Sequence, residues 1–174
     1  GSGVSVSNAT TGLSVENASS SVLALSDLTF TGVSGKYIDL VNNAGNLDAT
    51  AVTFGGVTGA TATLAQNFGI EDKINHKVDN SALGFVSVKA NNDFVTLNSY
   101  VSPNTTPSIQ RGIDAASNNY TVNVQAGNYG KEVASNRSVF GVGTYQFGLY
   151  IDKNNLTVRG YDASNAAITS PSSA

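Results

Sequence analysis

Apolar and small polar residues alternate along the chain in a phrase that returns twice. Val4-Ser5-Val6-Ser7-Asn8-Ala9-Thr10-Thr11-Gly12 comes back as Leu28-Thr29-Phe30-Thr31-Gly32-Val33-Ser34-Gly35-Lys36. It comes back again as Val52-Thr53-Phe54-Gly55-Gly56-Val57-Thr58-Gly59-Ala60. Each step is 24 residues, from Val6 to Phe30 to Phe54 and from Asn8 to Gly32 to Gly56. Two large apolar residues stand two apart, a small or polar residue follows, then another apolar residue and a turn. That is the pattern of a strand with one buried face and a corner after it. A fixed period built from strands and Gly/Asn/Ser corners predicts a solenoid in which each repeat is one coil stacked on the last. Val4, Val6, Leu28, Phe30, Val33, Val52, Phe54 and Val57 are its expected core.

Between the phrases lie further apolar clusters: Leu13 and Val15, then Val22, Leu23 and Leu25; Ile38, Leu40 and Val41, then Leu47. Asn17-Ala18-Ser19-Ser20 separates the first two clusters, and Asn42-Asn43-Ala44-Gly45 the next two. Each coil therefore reads as about three short strands with polar corners, and the β-branched and serine content disfavours helix. The register fails after Thr61-Ala62-Thr63-Leu64. Residues 1–66 thus read as coils, 67–106 as a connector or inserted strands, and 107–174 as a second β segment.

In the connector, Ile70, Ile74 and Val78 stand four apart, the spacing of one or two helical turns. Residues 84–88 and 94–97 read as strands, with Asn91-Asn92-Asp93 as the turn between them. Pro103-Asn104-Thr105-Thr106-Pro107 reads as a linker or tight corner. The strongest helix signal follows, with Ser108 as its start and Ile109, Ile113 and Ala116 on one face. An alternating strand, Tyr120 to Val124, comes next. Later strands are Gly148-Leu149-Tyr150-Ile151 and Leu156-Thr157-Val158-Arg159-Gly160.

Ser108-Ile109-Gln110, Ile113-Asp114-Ala115-Ala116, Thr121-Val122-Asn123-Val124 and Gly127-Asn128-Tyr129 together resemble the opening of right-handed parallel β-helix proteins of the pectin lyase-like superfamily. The resemblance covers residues 107–161. It implies that the helix lids a first coil, with Ile109, Ile113 and Ala116 as the plug and Val122 and Val124 as the start of the core. In that family the helix often ends in a Gly-Asp pair, where this chain has Asn119-Tyr120. The fold expected is all-β: a right-handed parallel β-helix of about 24 residues per coil with one internal capping α-helix. The chain looks like a segment of a large, repetitive bacterial surface or adhesin-like protein. A shared scaffold does not carry an activity with it. The Asn-Thr-Asp, Asp-Asp, Gly-His-Gly and Arg-Ile-Lys stretches of polygalacturonase-like members do not occur here, and no pectate-lyase calcium and arginine constellation is recognisable.

Charged residues make up only 12 % of the chain, and the net charge is −3. Nucleic acid, which calls for a basic face, is not an expected partner. Without cysteine there is no disulfide, thiolate metal site or cysteine nucleophile. No apolar run reaches transmembrane length, so membrane insertion is not expected. One histidine and no Gly-x-Ser-x-Gly elbow leave a serine triad unsupported.

Glu71, Asp72, His76 and Asp79 form the densest polar group. Their spacing suits a metal or acid/base site, but it equally suits a solvated face with ion pairs to Lys73 and Lys77, and the latter is favoured. Asp39 and Asp48 would suit glycoside hydrolysis if a fold paired them. They do not recur at the 24-residue period, which disfavours a calcium ladder. Some of the seven tyrosines could stack on sugar rings.

The leading expectation is a non-catalytic structural segment of an extracellular or cell-surface protein, without cofactor, that associates with its own kind end to end into a stalk or filament. The alternatives are an adhesin-like module that binds cell-surface polysaccharide, and a polysaccharide lyase or hydrolase fragment.

Overall fold

The computed structural model describes residues 3–16, 21–98, 108–129, 135–139 and 143–168. Its strands lie mostly in parallel sheets, and the described residues include two short helices. The first passage of the chain lays down β1 (Val4–Ser7), β2 (Thr11–Val15) and β3 (Leu23–Ala24). The second adds β4 (Leu28–Thr31), β5 (Lys36–Leu40) and β6 (Leu47–Asp48). The third adds β7 (Thr53–Phe54), then helix α1 (Leu64–Glu71), β8 (Ile74–Asn75) and β9 (Val86–Ser87). Each passage gives one strand to each of three parallel sheets, ordered β1-β4-β7, β2-β5-β8 and β3-β6-β9.

The repeated phrase is the register of the first sheet. Val6 lies beside Phe30, and Phe30 beside Phe54. Its corner is also explained. Asn8, Gly32 and Gly56, which are equivalent in the three phrases, all take positive φ, at 54°, 63° and 96°. Asn and Gly are the residues that enter this region at least cost, so the 24-residue period is in part a period of left-handed corners.

The third passage corrects the expected failure of register. The repeat is interrupted rather than lost: Ile38 pairs with Ile74, and Leu47 with Val86, so β8 and β9 rejoin the same sheets after an insertion. The helix also differs from the Ile70–Ile74–Val78 spacing. Thr63 caps it, accepting from the Gln66 N–H at 3.2 Å, while the Gln66 side chain accepts from the Thr63 N–H at 2.8 Å. This reciprocal pair sets the start. Pairing of Ile74 with Ile38 then takes that residue into a strand.

Beyond β9 come β10 (Asn92–Val95), α2 (Ile109–Ala115), β11 (Thr121–Val124), β12 (Ser135–Val139), β13 (Gly143–Phe147) and β14 (Thr157–Gly160). β10, β11 and β14 form a further parallel sheet, and β12 pairs with β13 antiparallel. Asn92 and Asp93 belong to β10 and not to a turn; the corner is Ala90 with Asn91, the latter at φ 56°, closed by the Asn92 N–H donating to the Lys89 carbonyl at 3.2 Å. Ser108 stands at the α2 N-cap but its side chain makes no capping bond. Residues 149–151 are not a strand. Gln110 supplies the reason: its amide accepts from the Tyr150 N–H at 2.7 Å and donates to the Tyr150 C=O at 2.9 Å, standing where a neighbouring strand would. The expected corner at Asn17–Ser20 and the linker at Pro103–Pro107 lie outside the described residues.

The larger core holds Phe30, Val33, Val52 and Phe54, with Val6, Leu28 and Val57 packed partly buried against it. The Phe30, Tyr37 and Phe54 rings stand 5.3–5.8 Å apart, centroid to centroid. Burial of each such side chain stabilises the fold by about 1.5–3 kcal/mol before entropy is subtracted. Gly12 makes room for the stack, since a Cβ there would lie 2.6 Å from the Phe30 ring. Val4 departs from the expected core: on outer strand β1 it is 65 % exposed. A second core gathers Val95, Val122, Val124 and Ala116, with Ile109 against them. Ile113 is fully buried on α2. Gly112 brings α2 close to this sheet, because a Cβ there would sit 2.3 Å from Val95 Cγ2. No helix among the described residues is long and apolar enough to cross a membrane.

Candidate functional site

The insertion of α1 carries the densest ionisable group into the interior. Glu71, the last residue of the helix, and His76, just past β8, meet with Oε1 and Nε2 2.6 Å apart. His76 is fully buried, and Glu71 nearly so. Asp79 turns a carboxylate oxygen back to the His76 N–H at 3.2 Å. Phe85 lies against the imidazole, with centroids 5.2 Å apart. Asp93 is buried on β10; one of its carboxylate oxygens accepts from the Phe94 N–H at 2.8 Å and the other has no hydrogen-bond partner.

The imidazole has a definite task. Leu47 and Ala49 donate to the carbonyls of Phe85 and Ser87, so β9 faces β6 through those two residues. Val86 therefore points its N–H away from β6, toward the open edge of β9. That N–H donates to His76 Nδ1 at 3.1 Å. The ring takes the place of the next strand's carbonyl and satisfies a donor that burial would otherwise leave costly.

Burial opposes a charge on His76, but the Glu71 carboxylate, with Asp79 and Asp93 behind it, outweighs burial and lifts its pKa to about 9. The Val86 N–H works against that lift, because an imidazolium would carry a proton on Nδ1, where the backbone already presents one. The donor belongs to a paired strand and has no freedom to turn. Geometry therefore prevails: His76 is the neutral tautomer with its proton on Nε2, donated to Glu71. Burial, more than the nearby charges, raises the Glu71 carboxyl. Burial and then the charge of Glu71 raise Asp93 well above the ordinary carboxylate range.

Of the four candidate residues, the fold brings Glu71, His76 and Asp79 together in the interior, which corrects the favoured reading of a solvated face. Asp72 ends the helix, its N–H donating to the Phe68 carbonyl at 3.0 Å. Both imidazole nitrogens are engaged, so His76 has no lone pair to give a metal. Among the described residues no three His, Asp or Glu side chains converge as a metal site. Asp93 was hidden to sequence reading by its Asn-Asn-Asp setting, which has the composition of a turn. Its one signal is position: two residues before Val95, it shares the buried face of that strand.

The chain matches no family model, no curated protein and no solved structure.

The remaining candidates are placed apart. Asp39, on β5, pairs with Lys36 at 2.9 Å and accepts from Asn75 at 2.8 Å. Asp48, on β6, accepts from the Thr50 N–H and hydroxyl at 3.0 and 2.7 Å. They stand on different sheets, each engaged locally. Among the tyrosines, Tyr37 belongs to the core stack and Tyr129 donates to the Val95 and Gln125 carbonyls. Tyr120 and Phe85, in edge-on contact at 6.1 Å, line a groove of about 460 Å³ together with Asp48 and Lys77.

Proposed function

We propose that the chain is a non-catalytic structural segment of a secreted or cell-surface protein, a right-handed parallel β-helix that associates end to end into a stalk or filament. Three parallel sheets visited in turn, the first of them at a 24-residue step, support the solenoid reading, as does the resemblance of residues 107–161 to the pectin lyase-like superfamily. On that reading Ile109, Ile113 and Ala116 form the plug of a capping helix.

One observation carries the association. The outermost strands β1, β2 and β3 leave one edge of each sheet unpaired among the described residues, and beside them Val4, Val22 and Leu23 are 65 %, 60 % and 49 % exposed. An open edge with apolar rungs is a template for another coil. Sedimentation velocity across a concentration series tests it. The wild-type chain should grow in mass with concentration, and Val4→Lys with Leu23→Lys should hold it monomeric. A monomer at every concentration would refute the association.

A second reading, a module that binds cell-surface glycan, draws on the groove beside β6 and β9. There the Phe85 and Tyr120 rings lie near the Asp48 carboxylate and Lys77. Rings with hydrogen-bonding groups at their rim suit a sugar. Glycan-array binding lost in Tyr120→Ala would favour this reading over the first.

A further inference from the structure

The sheet β10-β11-β14 ends on β14 among the described residues. Its hydrogen bonds show which backbone groups face outward. The Thr157 and Tyr161 N–H groups donate toward β11, to the Tyr120 and Val124 carbonyls at 3.0 and 3.1 Å. Successive residues of a strand alternate, so Val158 and Gly160 turn their N–H and C=O away from β11. The outer edge of β1 is built in the same way. Val4 and Asn8 donate to the Asp27 and Thr31 carbonyls at 2.7 and 3.0 Å, which leaves the N–H and C=O of Ser5 and Ser7 turned outward.

The two edges match in register. In a parallel ladder, a residue that faces the next strand bonds to the two neighbours of its opposite number. The molecule follows this rule where Phe30 lies opposite Phe54 and accepts from the Gly55 N–H at 2.9 Å. By the same rule Val158 would stand opposite Val6, between the outward groups of Ser5 and Ser7. The side chains agree. Val158 packs against the second core and Val6 against the larger one, so the row from Val122 to Val158 would continue into Val6 on one face. A slip of one residue would turn Val6 to the other face.

The next outward acceptor on β14 is already taken. The Gly160 carbonyl accepts from the Ile168 N–H at 3.0 Å, and Tyr161 bridges Ala167 antiparallel. Asp162 pins the turn between them. Its Oδ1 accepts from the Ser164 N–H, the Ser164 hydroxyl and the Ala166 N–H at 2.9, 2.6 and 2.9 Å. Asn165 supplies the left-handed corner at φ 63°.

We propose that two copies join by adding β1 of one to β14 of the other, Val6 opposite Val158, and that the 161–168 turn is a strap competing for that edge. The proposal rests on the end-to-end reading above and names its two surfaces. In this register Asn8 of the incoming strand falls opposite Gly160, where the strap lies. The strap must therefore leave the Gly160 carbonyl before the ladder closes. Loops that cover a strand edge restrain pairing with other chains, so the strap sets the concentration at which copies join.

The chain has no cysteine, so single thiols can report the joint. Thr157 and Ser5 are both exposed and fall opposite each other in this register. Thr157→Cys and Ser5→Cys proteins, mixed under oxidation, should form a disulfide-linked heterodimer. Thr157→Cys mixed with Ser14→Cys, an exposed position on β2, should not. Ile168→Pro removes the donor to Gly160, and Asp162→Ala unpins the turn. Each should lower the concentration of half-association in sedimentation velocity about fivefold, with an unchanged circular dichroism spectrum. Strap variants that associate where the wild type stays monomeric would also support the proposal. Wild-type growth in mass without the heterodimer would overturn the joint and leave end-to-end association standing. Equal cross-linking to Ser14→Cys would overturn the register. Association unchanged in both strap variants would overturn the strap. Wild type and strap variants all monomeric would overturn the joint together with the end-to-end reading.

Discussion

Two buried centres of this molecule are built on opposite principles. The Phe30–Tyr37–Phe54 stack joins successive passages of the chain with rings alone. The Glu71–His76–Asp93 centre, one insertion further along, joins α1, β9 and β10 with groups that ionise. The first centre follows from register, since Phe30 and Phe54 are neighbours on adjacent parallel strands. The second exists because β9 ends its sheet among the described residues and its Val86 N–H takes a side-chain acceptor where a following strand would stand. An apolar rung tolerates repetition, whereas the end of a repeat exposes backbone groups that only a specific side chain can satisfy.

Substitutions that break each centre should differ in kind. Phe30→Ala removes the middle of the ring stack and should cost about 3–5 kcal/mol in urea unfolding, at any pH. His76→Leu keeps volume but leaves Val86 without an acceptor and Glu71 buried without a donor, so a loss of about 3 kcal/mol is expected. Glu71→Gln, which can still accept from Nε2, should cost far less than His76→Leu. Equal costs would mean that charge, not the strand-edge bond, is what His76 provides.

Gly112→Ala probes the second core, where a Cβ would press on Val95 and Val122. Overpacking there should cost about 1–3 kcal/mol. Asp93→Asn is the smallest effect and has the opposite sign. An amide can still accept from the Phe94 N–H and spares the fold the proton uptake that burying this carboxyl demands, so a gain of about 1 kcal/mol near neutral pH is expected.

The ionisable centre should also give the fold a pH dependence that the ring stack lacks. Glu71 and Asp93 hold their protons harder in the folded chain than in the unfolded one. Folding therefore takes up protons. The stabilisation is whole below about pH 4, where the unfolded carboxyls are also protonated, and is lost as pH rises through the folded values. The melting temperature should fall from about pH 6.5 to pH 8, above the range in which His76, neutral in the fold and protonated when unfolded, opposes the trend, and Asp93→Asn should flatten that slope. A rise over the same interval would contradict the assignment.

The contrast also explains what could be read in the sequence. Val6, Phe30 and Phe54 announced the first sheet because their spacing repeats, and Asn8, Gly32 and Gly56 announced the corner for the same reason. Ile109, Ile113 and Ala116 marked the buried side of α2 by helical spacing. Unrepeated features were silent. Ile74 looked helical because its spacing from Ile70 suits a turn, yet its partner is Ile38, far off in the chain. Asp93 looked like a turn residue, and Gln110 like an ordinary helix position, although its amide stands in for a strand beside Tyr150. Glu71, His76 and Asp79 were legible as a cluster. Their task was not, because it depends on which strand ends a sheet.

The proposal under test is that the chain stacks as coils and associates through its open edge. Negative-stain electron microscopy of the purified chain across a concentration series tests it most directly. Filaments one coil wide, lost in the Val4→Lys and Leu23→Lys variant, are the expected result. Discrete particles of one size at every concentration would contradict it.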